Sequence, residues 1–218
     1  MNRPRAAIFD LDGTILDSLG LTFEAMREAV RPFIGRDLTD EEIYAHFGPA
    51  DHEIVSAFVK PDEADRAVRR LMAAYERGLE RMPVYPGILD LLEGLAEREV
   101  TLALCTGRGR PSTDLVLRVL KLEAWFDVTV TGEEGGRPKP APDGLNETLR
   151  QLGLEPGQAL YTGDSVKDVD AGLAAGTATI AARWGGVETD EAGFSRALLQ
   201  ARRPSDILAW WESLPAAW

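Results

Sequence analysis

The chain has 218 residues, enough for one large domain or for a core with a smaller module. Its 44% hydrophobic and 28% charged content is that of a globular protein, and no apolar run approaches bilayer-spanning length or forms a signal-peptide core near Met1. A net charge of −12 argues against a nucleic-acid partner, and a single cysteine, Cys105, excludes an internal disulfide, as suits a cytoplasmic protein.

Residues 6–9 form an apolar run of the kind a buried parallel strand carries. The run breaks into Asp10-Leu11-Asp12-Gly13-Thr14. Side chains two apart project to the same side of extended backbone, so Asp10 and Asp12 face one small volume. Gly13 permits a sharp turn just beyond them. Two carboxylates that close require a bound cation or a raised pKa. Next, Leu21, Ala25, Met26, Ala29 and Val30 fall at helical spacing over 17–31, and Pro32 and Gly35 end that helix. Thr39 with Glu42 makes a capping box for a short helix through Phe47. Gly48-Pro49 breaks the chain, a further helix covers 51–59, and Asp62 caps a long helix through Arg81. Residues 17–82 are therefore helical throughout and read as an insert, with 1–16 and 83–218 as the core domain.

After Tyr85-Pro86-Gly87, strands and helices alternate. Strands are expected at 100–105, 126–130, 159–162 and 177–181, the last clear one. Helices are expected at 88–98, from a Ser112 cap to 121, from Pro142 to 152, at 166–175, and from Pro204-Ser205-Asp206 onward. The fold class this predicts is α/β, a Rossmann-like parallel sheet with helices on both faces.

Ligands bind outside the carboxyl ends of strands in such sheets, and three further polar clusters fall there. Thr106-Gly107-Arg108 offers a hydroxyl, a glycine and backbone amides, a seat for phosphate oxygens. Arg137-Pro138-Lys139-Pro140-Ala141-Pro142 stiffens the chain around one of only four lysines, an unusual setting for a solvated one. Gly163-Asp164 is followed by Asp168, four residues on, so both carboxylates can face one site from a helix start. Taken singly, each cluster also reads as a plain turn or an exposed loop. Their joint order at successive strand ends tells against that.

Asp10-Leu11-Asp12-Gly13-Thr14, Thr106, Lys139-Pro140 and Gly163-Asp164 with Asp168 together resemble the four motifs of the haloacid dehalogenase-like hydrolase superfamily, over essentially the whole chain. The resemblance implies Asp10 as nucleophile, Asp12 as general acid and base, and Thr106 and Lys139 on the transferring phosphoryl group. It implies Mg²⁺ on a carboxylate oxygen of Asp10, the backbone carbonyl of Asp12 and a carboxylate oxygen of Asp164, with Asp168 orienting these ligands. An all-oxygen set suits that ion. The helical insert at 17–82 takes the place of the superfamily's cap. Its Phe47-Gly48-Pro49-Ala50 turn resembles the loop that reaches toward substrate in phosphoglycolate phosphatase-like members. Gly48, Pro49, Gly107 and Arg108 are accordingly expected at the substrate. The activity implied is Mg²⁺-dependent hydrolysis of a small phosphorylated metabolite, phosphoglycolate among the candidates, through an aspartyl-phosphate.

A phosphosugar mutase, an inorganic pyrophosphatase or a nucleotidase shares the same core and stays open. A dehalogenase reading is disfavoured, because those members lack an aspartate at the position of Asp12. A phosphonatase needs a cap lysine, and the only one in 17–82 is Lys60, beside Pro61 at a helix end. A catalytically silent binding protein is disfavoured by the intact Asp10, Asp12, Lys139 and Asp164. Among the rest, Arg108, Arg110 and Arg183 are each able to meet a substrate anion, although in a chain with 20 arginines solvated surface is the default. His46 and His52 are expected at the surface or in packing, Cys105 in the core, and Lys167 and Asp170 on a solvated helix face. Trp210 and Trp211 suit either the core's edge or a dimer contact, which leaves monomer and homodimer both standing.

Overall fold

A computed structural model of the chain describes residues 3–185 and 189–215. β1 (Ala6–Phe9) is buried at every position, as an unbroken apolar run demands. Four helices follow without a regular strand between them: α1 (Leu19–Ile34), α2 (Asp40–Tyr44), α3 (Asp51–Ala57) and α4 (Ala64–Gly78). The chain then alternates through α5 (Ile88–Ala96), β2 (Thr101–Cys105), α6 (Arg110–Val119), β3 (Val128–Val130), α7 (Asp143–Leu152), β4 (Ala159–Gly163), α8 (Val166–Ala175) and β5 (Ala178–Ala182). A short α9 (Glu191–Phe194), β6 (Leu199–Ala201) and α10 (Pro204–Ser213) complete it.

The strands form one parallel sheet in the order β3-β2-β1-β4-β5-β6. From β1 the chain winds outward through β2 and β3, then crosses to β1's other side at β4. The winding direction therefore reverses beside β1, and such a switch point opens a crevice at the strands' carboxyl ends. Alternate residues of β1 serve opposite faces. Ala7 and Phe9 join a core with Leu91, Leu92, Ile207 and Trp211, whereas Ala6 and Ile8 join Leu145, Leu149, Tyr161 and Ala171. Trp211 lies at the core's edge, its indole N–H donating to the Pro4 carbonyl at 3.3 Å, and Trp210 is half-buried against the same cluster. Trp218 lies outside the described residues.

Several local expectations are corrected. Pro32 does not end α1, which continues to Ile34. A proline in a last turn removes one N–H from the Glu28 carbonyl, and here the Arg70 guanidinium from α4 bonds that carbonyl at 3.2 and 3.3 Å. The Thr39–Glu42 capping box forms, but α2 stops at Tyr44 rather than Phe47. Asp62 is not the cap of α4. Glu63 takes that position, and its carboxylate turns back to the Lys60 N–H at 3.4 Å. Ser112 lies inside α6, because Pro111 suits the first turn and starts the helix earlier; the serine hydroxyl bonds the Gly109 carbonyl at 3.1 Å. β5 is not the last strand, since β6 pairs with it through Ile180–Leu199 and Ala182–Ala201. Finally, the chain leaves and re-enters the sheet region through a small antiparallel bridge, Leu16 opposite Val84, with Tyr85 N–H bonded to Ile15 O and Asp17 N–H to Pro83 O, both at 2.9 Å. Among the described residues, no helix is long and apolar enough to cross a membrane.

Candidate active site

Phe9 lies in register with Leu104 of β2 and Thr162 of β4, so Asp10 emerges between the ends of its two neighbours. Its N–H still bonds the Thr162 carbonyl at 2.8 Å, which fixes the direction of the side chain, and the residue is only 6% exposed. Beyond it the backbone doubles back. The Ile15 and Leu16 N–H groups donate to Leu11 O at 2.9 Å, and Gly13 takes φ 78°. A Cβ at Gly13 would stand 2.1 Å from Asp164 Oδ2, so only glycine lets β4's aspartate approach this turn.

Asp12 is gripped from two sides. Ser18 Oγ donates to Oδ1 at 2.5 Å, while Arg108 donates through Nη2 to Oδ1 at 2.6 Å and through Nε to Oδ2 at 3.0 Å. This is a two-pronged pairing that a lysine could not reproduce. Arg108 is thereby corrected from the solvated default, for its side chain is 2% exposed. The Arg108 N–H donates to Thr106 Oγ1 at 3.1 Å, leaving the threonine's own proton available.

Lys139 arrives on the loop after β3. Arg137 ties that loop to α7, its guanidinium holding both Asp143 oxygens at 2.9 Å. The lysine Nζ then donates to Asp10 Oδ1 and to Asp168 Oδ1, each at 2.7 Å. Asp168 is buried and fully engaged: Oδ1 also accepts from Tyr161 OH at 2.5 Å, and Oδ2 from Ser165 N–H at 3.1 Å and Oγ at 2.5 Å. Ser165 and Asp168 form a reciprocal capping box at the start of α8. Gly163 is again dictated by proximity, since a Cβ there would lie 2.4 Å from Asp168 Cβ. Asp164 and Asp168 do share one site, but not through helical spacing. Asp164 precedes α8, and the turn after β4 aims it toward Gly13.

Burial sets the electrostatics and the ion pairs sort it. Burial pushes the Asp10 carboxyl up to about 7, with Lys139 opposing and Asp168 adding to the rise. Burial, with Asp168 and Asp10 close by, also raises Asp164 well above the usual carboxylate range. For Asp12 burial is again the largest influence and acts upward, but the charge and hydrogen bonds of Arg108, with the Ser18 hydrogen bond and the Lys139 charge, together hold the carboxyl below its ordinary value. Asp168 is likewise held low, burial being overcome by Lys139. Burial would lower Lys139, yet Asp10 and Asp168 keep it firmly protonated.

One carboxylate oxygen from each of Asp10, Asp164 and Asp168 lies within 4.8 Å of the other two. With Asp168 occupied by its donors, Asp10, which has Lys139 on one oxygen, and Asp164, which has a 3.4 Å contact from Thr14 Oγ1, are the pair whose carboxyls stay raised, and they suit an oxygen-seeking divalent cation.

Two cavities share Gly48, Pro49, Thr106, Gly107 and Lys139, and every residue expected at the site lines the first. The first, about 160 Å³, holds Asp10, Asp12, Gly48, Pro49, Thr106, Gly107, Arg108, Lys139, Asp164 and Asp168. Lys167, expected to be solvated, also lines it and bonds the Phe47 carbonyl across to the helical segment at 2.8 Å. Asp170 points elsewhere, paired with Arg196. Arg110 and Arg183 serve ion pairs with Glu134 and Glu191. The His46 ring packs at a tilt against Phe58, and His52 faces Glu133 at 3.5 Å. Cys105 packs in the core, its thiol pushed by burial up to about 11. Missed by sequence reasoning were Ser18, Thr22, Asp51, Tyr75 and Tyr161. None stands in a motif, and only the fold brings them to the carboxylates.

Comparison with known proteins finds relatives over nearly the whole chain. A phosphoglycolate phosphatase of Aquifex aeolicus is 29% identical over 205 residues, covering 94% of this chain and 95% of that one. Pyrophosphatase PpaX of Bacillus cereus is 28% identical, covering 92% and 90%. The crystal structure of a HAD-superfamily hydrolase, subfamily IA, variant 1, from Geobacter sulfurreducens superposes with a TM-score of 0.70 at 27% identity, covering 96% and 97%. The sequence profile described as haloacid dehalogenase-like hydrolase matches residues 7–182, from the strand that carries Asp10 to the end of β5. With its site at the switch point and a family match spanning most of its length, this chain belongs to the haloacid dehalogenase-like hydrolases.

Proposed function

We propose that this protein is a Mg²⁺-dependent phosphomonoesterase acting on a small phosphorylated metabolite by way of an aspartyl-phosphate on Asp10. The observation that carries the reading is Lys139 Nζ set 2.7 Å from both Asp10 and Asp168 at the switch point, with Asp12 and Asp164 around them. Asp10 attacks phosphorus in line, and the ester P–O bond breaks. Asp12 gives its proton to the departing alkoxide. It then takes a proton from the water that attacks phosphorus, and the bond to Asp10 breaks to release inorganic phosphate. Arg108 holds Asp12 ionised in the resting site, and the substrate's negative charge beside Asp12 returns it toward the protonated form. Thr106, Lys139 and the Gly107 amide stabilise the phosphoryl oxygens. Asp10, the Asp12 carbonyl and Asp164 would hold the Mg²⁺, with Asp168 bracing Lys139 behind them. The ion, when bound, neutralises charge on the phosphoryl group.

Residues 17–82 are read as a cap over residues 1–16 and 83–218, with Gly48 and Pro49 facing substrate. The Aquifex relative's name makes phosphoglycolate a candidate, and the Bacillus relative's name makes inorganic pyrophosphate a second reading. The test is phosphate release from a panel of phosphomonoesters and pyrophosphate, with and without Mg²⁺, using Asp10→Asn protein as blank. Release that needs both Mg²⁺ and Asp10 is expected. Release from the Asp10→Asn protein at wild-type rate would overturn the reading.

A further inference from the structure

The first cavity has a wall that the hydrolytic steps leave unused. Arg108 spends Nε and Nη2 on Asp12, while its third nitrogen, Nη1, has no hydrogen-bond partner among the described residues. Nη1 forms an ion pair with Asp51 Oδ2 at 3.9 Å, too long for a hydrogen bond, and Oδ2 likewise has no hydrogen-bond partner among the described residues. The Tyr75 hydroxyl, beside the Thr22 side chain, is a third atom without a hydrogen bond of good geometry, and the Arg108 guanidinium stacks 4.7 Å above the Tyr75 ring. All three groups are deeply buried: the Arg108 and Asp51 side chains are 2% and 10% exposed, and Tyr75 is fully covered. Buried polar atoms are almost always paired, because an unpaired one forfeits its hydration. Here the three residues that carry them, from the loop after β2, the first turn of α3 and the body of α4, line one cavity. Leu19, Met26 and Ile54 supply apolar walls beside them.

We infer that Arg108, Asp51 and Tyr75 form the leaving-group subsite, and that it selects a neutral leaving group bearing a hydroxyl over an anionic one. The inference rests on the phosphomonoesterase reading and names its substrate class. Its basis is donor and acceptor matching. A hydroxyl donates to Asp51 Oδ2 while accepting from Arg108 Nη1 or Tyr75 OH, which satisfies the wall from both sides. A carboxylate or a second phosphate only accepts. It pairs with Arg108 and Tyr75 but sets acceptor against acceptor at Asp51. The single charge of Arg108 is already shared between Asp12 and Asp51, so this wall holds no unspent cation for an added anion. The substrates that fit are monophosphates of small polyols and hydroxy-compounds. A cavity of about 160 Å³ suits a leaving group of few atoms beside the phosphoryl group.

The test pairs two esters of equal carbon count, 2-hydroxyethyl phosphate and phosphoglycolate, with p-nitrophenyl phosphate as a reporter that carries neither group. Wild-type protein with Mg²⁺ should favour 2-hydroxyethyl phosphate in kcat/KM by about tenfold or more, chiefly through KM. Asp51→Asn keeps Oδ1 for the Gly109 and His52 N–H groups at 3.2 and 3.1 Å, and turns Oδ2 from acceptor to donor. That substitution should collapse or reverse the preference, whereas a merely structural role for Asp51 would slow both esters alike. Tyr75→Phe keeps the ring under Arg108 and should raise KM for 2-hydroxyethyl phosphate several-fold. A wild-type preference for phosphoglycolate, or an equal effect of Asp51→Asn on both esters, overturns the inference while p-nitrophenyl phosphate turnover keeps the phosphatase reading. Absence of Asp10-dependent turnover of all three esters overturns both.

Discussion

Asp10 and Asp168 share one lysine yet are driven in opposite directions, and the difference lies in how many other donors each finds. Asp168 has Tyr161 and Ser165 besides Lys139, whereas Asp10 has only the lysine to set against burial and two further carboxylates. A carboxyl raised from 3.8 to about 7 on folding binds protons that the unfolded chain has lost. The folded state therefore loses stability as pH rises through that window. In Mg²⁺-free protein, Asp10→Asn should consequently stabilise the fold by about 2 kcal/mol at pH 8, the gap closing toward pH 4. Urea unfolding of both proteins across that range measures it. A variant less stable than wild type at pH 8 would show that Lys139 outweighs burial. The identities of these residues were legible from sequence, because each stands in a short motif at a strand end. Their pairing was not. That Arg108 would clasp Asp12 from a distance of 96 positions, or that Tyr161 would reach Asp168, follows from strand register, and strand register appears only on folding.

Elements carry these residues by their ends rather than their middles. β1, β2 and β4 each stop where a functional side chain begins, and a glycine stands where two such ends converge. Gly13→Ala tests that convergence: its Cβ would meet Asp164 Oδ2 at 2.1 Å, at a backbone φ of 78°. The variant should bind Mg²⁺ at least about tenfold more weakly by calorimetry. Unchanged affinity would place the metal away from Asp164. Element type was readable wherever periodicity ran long, as in α1 and α4, or where a chemical stop was strong, as at Gly176, which ends α8 in the left-handed region. It was unreadable where tertiary contacts supply what the local sequence lacks. β6 is three residues, Leu199-Gln200-Ala201, without a β-branched side chain, and exists because β5 offers it an edge. Pro32 reads as a stop because the sequence cannot show Arg70 waiting at the Glu28 carbonyl.

At the scale of the whole molecule, the parallel sheet places four carboxylates where its winding reverses, and the helical segment between β1 and α5 faces them with Phe47, Gly48, Asp51 and Tyr75. Asp51 and Lys167 bridge the two parts, through the Gly109 N–H at 3.2 Å and the Phe47 carbonyl at 2.8 Å. The net charge of −12 is thus no obstacle to an anionic substrate, since Lys139 and Arg108 sit among the carboxylates themselves. The central claim is that Asp10 takes the phosphoryl group, and acid quenching during turnover addresses it most directly. p-Nitrophenyl phosphate is the substrate to use, because its good leaving group spares the first step any need for Asp12. In Mg²⁺-loaded Asp12→Asn protein, peptide mapping by mass spectrometry should find a phosphoryl adduct on Asp10, accumulated because the attacking water has lost its base. Turnover with no adduct at Asp10, or with the adduct on another residue, would contradict the account.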